Sequence, residues 1–178
     1  MARGITTGEY LLIKDVFKET VRYDAIRCDQ NKANIGGKGN SLTPAGVIYF
    51  STLWYCKDFS QAPDGFQKWL FVHEMMHVWQ WGHNVYPVWQ ALGLVIAHGG
   101  IYEAAYPYDL VPGKSLTEYN MEQQASIIAD YWALFTNQHK VRDNRNTQAT
   151  IDGYLPLIAE LQKSGPSLPK LDQMPRGI

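Results

Sequence analysis

The chain has 178 residues, of which 46% are hydrophobic and 13% aromatic, enough to bury the core of one domain. Its 16 Lys and Arg against 17 Asp and Glu leave a net charge of -1 with no basic run, which excludes the electrostatic footprint of a nucleic-acid binder. The most apolar stretch, VWQALGLVIAHGGI from Val88 to Ile101, contains Gln90 and His98 and falls short of the roughly 20 residues of a membrane span, so it reads as a buried helix.

In chain order, MARGITTGEYLL has no basic region followed by a long apolar segment and a cleavage site, so no secretory signal is expected. From Glu9 to Thr20 apolar residues recur at Leu11, Leu12, Val16 and Phe17, which predicts a helix, and YDAIRC then alternates as a short strand does. NIGGKGNS, Asn34 to Ser41, is rich in turn formers and leads into the β-branched and aromatic run GVIYFSTLWY. A hairpin turn in a small sheet is expected there rather than a phosphate loop, because GxxxxGK[ST] is not matched. Cys28 and Cys56, the only cysteines, are expected to be free buried thiols, with one disulfide as the alternative.

Asp64 followed three residues later by Gln67 has the form of a capping box and predicts a helix running to Gly82. A second such pair, Ser115 and Glu118, predicts the start of a helix through LTEYNMEQQASIIADYWALF. After a polar stretch from Asn137 to Asn146, YLPLIAELQ predicts one further short helix, and Ser164 to Ile178 a loosely held tail. The expected class is therefore α+β: one mainly helical domain over residues 1–178, with a small sheet beside the helix that starts near Asp64.

That helix carries FVHEMMHVWQWGH. Four residues turn an α-helix by about 400°, so His73 and His77 stand one turn apart on the same side and both imidazoles reach one ion. Glu74, about 100° around from His73, stands beside such an ion, where a carboxylate takes a proton from water. This is the logic of HExxH and predicts zinc.

Catalytic zinc usually takes three protein ligands. His83 lies six residues beyond His77, but the glycine that accompanies a third histidine in that pattern is replaced by Gln80. Glu122 is the better candidate, because Ala125, Ser126 and Ala129 on its helix face allow a close approach to the HExxH helix; Glu118, one turn earlier, is accounted for as a cap. Two histidines and a glutamate from a second helix make a gluzincin-like set. A donor to the oxyanion is open among Tyr119, Tyr131 and His98, and Asp130 is a candidate to orient a ligating imidazole.

TTGEYLLIKDVF, TPAGVIYFS, HEMMHVWQ and YNMEQQASIIADYW, in this order, resemble the zinc metallopeptidase domains at the C-termini of VgrG spike and Rhs proteins of bacterial type VI secretion systems. The resemblance runs from about residue 4 to about residue 135. It implies a zincin-like fold, with His73, His77 and Glu122 as zinc ligands and Glu74 as the catalytic glutamate. It also implies an antibacterial toxin that is carried by the spike and cuts protein or peptide in the periplasm of a recipient cell, while a cognate immunity protein protects the producer. Met1 would then be the start of an expressed fragment. Two other readings are a non-catalytic module in which zinc only braces two helices, and a housekeeping metallopeptidase of the cytoplasm.

Overall fold

The computed structural model describes residues 2–31, 41–84 and 105–165. The expected helix at Val88 to Ile101 lies outside them, as do His98, most of the Asn34 to Ser41 turn and the tail beyond Gly165.

Thr6 opens the first helix, α1 (Thr7–Phe17): its hydroxyl accepts the Glu9 amide at 3.0 Å and the Glu9 carboxylate accepts the Thr6 amide at 2.8 Å. This closed capping box starts the helix two residues before the periodicity did, and the chain leaves it at Lys18, whose φ is 45°. The Glu9 carboxylate is fully buried and also accepts both Arg3 guanidinium nitrogens at 2.7 Å and the Phe59 amide at 3.0 Å. One carboxylate thus ties the N-terminal segment, α1 and the turn at Phe59–Gln61 together.

Strands β1 (Arg27–Asn31) and β2 (Val47–Ser51) pair in parallel, with Arg27 opposite Val47 and Asn31 opposite Ser51. This corrects the hairpin expectation, since parallel neighbours need a crossover and not a tight turn. YDAIRC is also mostly not strand: Tyr23–Ala25 is a 3-10 turn and β1 begins at Arg27. The tight reversal lies later, where Leu42 pairs antiparallel with Tyr49 through bonds of 3.1 and 2.8 Å. Gly46 in this reversal has φ 75°, and a Cβ there would stand 3.2 Å from the Trp81 ring, so the reversal packs directly on the next helix.

That helix, α2 (Gly65–Gly82), has the predicted bounds, with Asp64 accepting the Phe66 amide at 2.9 Å. The reciprocal half of the expected box is missing, because the Gln67 side chain turns instead to the Trp54 carbonyl and Cys56 Sγ. Every residue from Phe71 to Gln80 is buried, so α2 is a central helix with neighbours on all sides. Phe50, Phe59 and Phe71 join β2 to it, with ring centroids 4.2 to 6.2 Å apart.

The Ser115–Glu118 box forms, but it caps only the 3-10 turn Leu116–Glu118. A second box, Asn120 with Gln123, opens the long helix α3 (Met121–Thr136), which packs on α2. Helix α4 (Leu155–Lys163) closes the other side: Gln162 bonds the Asp15 and Val16 carbonyls of α1, and Glu160 bonds Ser115 and Leu116. The described residues therefore form a mainly helical assembly with one two-stranded sheet, and no helix among them is long and apolar enough to cross a membrane. Cys28 is buried and Cys56 half-buried, both as free thiols.

Candidate metal centre

The packing of α2 on α3 brings His73, His77 and Glu122 together, all three buried, with one potential ligand atom from each within 4.8 Å of the others. His73 Nε2 stands 3.1 Å and His77 Nε2 3.4 Å from the same Glu122 oxygen, Oε2. Ligands about 2.1 Å from a tetrahedral ion are separated by about 3.4 Å, so these gaps match the edges of a zinc coordination shell. Two imidazoles and one carboxylate are also the donors a catalytic zinc site uses. The residues present therefore fit zinc on donor chemistry and on spacing.

Their electrostatics point the same way. Burial disfavours the charged form of Glu122, yet the adjacent imidazoles of His77 and His73 hold its carboxyl far below the usual carboxylate range. Burial likewise disfavours the His77 imidazolium, but the Glu122 carboxylate outweighs it and the imidazole is pushed up to about 9. A buried negative carboxylate is thus compensated by the proton on His77 in the metal-free protein, and a divalent cation can take its place.

Around this centre, Glu74 is buried and accepts the Thr43 hydroxyl at Oε2, 2.6 Å away. His77 Nδ1 meets the Gln80 side chain at 2.7 Å. The His73 ring packs against those of Trp69 and Tyr106, with centroids at 5.1 and 5.7 Å, and its buried Nδ1 has no hydrogen-bond partner among the described residues.

The other sequence candidates are placed elsewhere. Glu118 is exposed and accepts the Ser115 amide in the cap. His83 caps α2, its ring nitrogens 2.8 Å from the Trp79 carbonyl and 3.1 Å from that of Gly165. Tyr119 uses its hydroxyl on the backbone of Asp109 and Val111, and Tyr131 packs against Phe135 and Tyr154. Among the described residues, Asp130 does not bond an imidazole. Its buried carboxylate accepts Trp69 Nε1, the Tyr108 hydroxyl and the amides of Arg142, Asp143 and Asn144, so it reaches His73 only through the Trp69 ring.

Thr43, Gln80 and Tyr106 were not among the sequence candidates. Thr43 and Tyr106 lie in non-periodic segments, and no local pattern marks their arrival at α2. Gln80 did carry a signal, because it is three residues beyond His77 and so on the same side of the helix.

No family model matches the chain. It is 36% identical over 140 residues to the type VI secretion system spike protein VgrG2b of Pseudomonas aeruginosa, a match covering 73% of this chain and 13% of that protein. The chain thus spans only about an eighth of its relative's length. Among solved structures, the effector domain of Pseudomonas aeruginosa VgrG2b superposes with a TM-score of 0.69 at 29% identity, over 89% of this chain and 84% of that domain.

Proposed function

Because this chain is homologous to the VgrG2b effector domain of a type VI secretion spike, we propose that it is an effector domain with zinc-dependent peptidase activity. The observation that carries the reading is the convergence of His73 Nε2, His77 Nε2 and Glu122 Oε2 beside a buried Glu74. When bound there, zinc supplies the Lewis acidity that polarises a carbonyl and makes water nucleophilic near neutral pH. Thr43 holds Glu74 by Oε2, which leaves Oε1 to accept the proton of the attacking water and pass it to the leaving amine. Tyr106, whose ring packs against His73, joins His98 as a candidate donor to the oxyanion, since the Tyr119 hydroxyl is used on backbone groups.

A type VI spike carries the domain into a recipient bacterium, where it acts on protein or peptide in the periplasm, and an immunity protein protects the producer. The rival structural site needs four protein ligands. A fourth ligand would have to be His83 or His98, and the His83 ring nitrogens stand 2.8 and 3.1 Å from the Trp79 and Gly165 carbonyls instead.

Glu74→Gln is the decisive variant, since the amide keeps the shape but cannot take the water's proton. It is expected to bind zinc as the wild type does and to lose toxicity and hydrolysis of recipient envelope proteins, followed by comparative proteomics. Undiminished toxicity or cleavage by this variant would falsify the catalytic assignment.

A further inference from the structure

Gln80 is fully buried, and its orientation follows from its partners without any hydrogen being located. Gln124 approaches the Tyr119 carbonyl oxygen at 2.8 Å, and a carbonyl only accepts, so the atom facing it is the amide nitrogen. Gln124 Oε1 therefore faces Gln80, at 3.0 Å. Gln80 meets that oxygen and the Met121 carbonyl, at 2.9 Å, and both are acceptors, so both hydrogens of its amide nitrogen are used at the start of α3. Only Oε1 remains for His77 Nδ1 at 2.7 Å. An amide oxygen cannot donate, so Nδ1 carries the hydrogen. In the neutral imidazole the lone pair then lies on Nε2, the atom that faces Glu122.

From this chain of donors we infer that Gln80 is a positioning residue for the metal centre. It fixes His77 in its Nδ1–H form, and through Met121 it holds the first turn of α3, so that His77 Nε2 and Glu122 are presented to one ion. The inference rests on the metal-site reading above. It also separates the two histidines: His77 is locked by a hydrogen-bond relay anchored on two backbone carbonyls, whereas His73 is held by ring packing against Trp69 and Tyr106. A neutral amide, unlike a carboxylate, orients the imidazole without adding negative charge to the site.

Zinc affinity of the full chain, measured by competition with a chromophoric chelator, tests the role. Wild type sets the scale, and failure of wild type to take up zinc would sink the metal site itself. Gln80→Leu removes the acceptor along with both donors and is expected to weaken zinc binding about 10- to 100-fold. Gln80→Glu restores the acceptor to His77 but not the donors to α3, and is expected to recover most of that loss. If Gln80→Leu binds as wild type does, or if Gln80→Glu is as weak as Gln80→Leu, Gln80 does not orient His77. Should neither variant fold, the wild type decides through nitrogen-proton NMR of the zinc-loaded, histidine-labelled chain. A hydrogen on His77 Nδ1 with metal at Nε2 is expected; metal at Nδ1 overturns the inference.

Discussion

Glu118 and Glu122 stand one helical turn apart in sequence and do unrelated work. The first is an exposed cap of a 3-10 turn; the second is buried against two imidazoles. Glu122→Ala should therefore lose zinc sharply, whereas Glu118→Ala should keep it and cost about 0.5 to 2 kcal/mol of stability. Metal content of the two purified variants checks this, and zinc loss in Glu118→Ala alone would remove Glu122 from the ligand set. The same site sets a pH dependence. In the metal-free protein His77 rises from 6.5 to about 9, so its contribution to stability is complete below pH 6.5 and fades as pH climbs through 9. Glu122 is lowered from 4.5, so its contribution is complete above that pH and is lost on acidification below it. The pair should stabilise the metal-free chain most between pH 4.5 and 6.5. Urea midpoints at pH 6 and pH 9 should differ less in Glu122→Gln than in wild type, and an equal difference would show that the pair is not the cause.

At the scale of elements, α2 is held from two directions. Gly46 lets the reversal before β2 lie on Trp81, which carries Thr43 to Glu74, and Asp130 of α3 holds Trp69 of α2 at the other end. Five donors meet the Asp130 carboxylate, three of them backbone amides of residues 142–144. Asp130→Asn turns a donor toward some of these donors and leaves buried groups unsatisfied, so a loss of at least about 3 kcal/mol is expected. For a chain of this length that lowers the melting temperature by about 6 °C or more. Scanning calorimetry checks it, and an unchanged melting temperature would mean that the hub contributes nothing. The two capping boxes show how far local pattern reaches. Ser115 with Glu118 and Asn120 with Gln123 are equally good starts, yet only the second propagates, because Tyr119 between them is extended, with ψ 151°.

For the whole molecule, the homology to a spike-borne effector domain bears on where the domain acts. If the target is periplasmic, the chain made in the cytoplasm should be tolerated, and a Sec signal fused before Ala2 should make it toxic. Growth of one strain expressing exported and unexported forms, each with Glu74 or Glu74→Gln, provides the comparison. Equal toxicity of the two active forms would move the target to the cytoplasm, and harm from both Glu74→Gln forms would mean that zinc chemistry does not kill.

What sequence alone determined here is local. The pairing of His73 with His77, the start of α2 at Asp64, its end at Gly82 and the α4 segment all follow from spacing and capping within a few residues, where helix geometry is fixed. The small residues on its helix face also nominated Glu122 as the third ligand. Tertiary structure decided the parallel sense of β1 and β2 and the engagement of Thr43 with Glu74 across 31 positions. It also assigned Asp130 to Trp69 and Tyr119 to the Asp109 carbonyl. Each of these depends on which surfaces pack together, and short-range periodicity holds no information about that. The hydrogen on His77 Nδ1 is the clearest instance: its acceptor, Gln80, is three residues away, but the direction of that amide is set by the carbonyls of Met121 in α3 and Tyr119 before it, about 40 positions further along the chain.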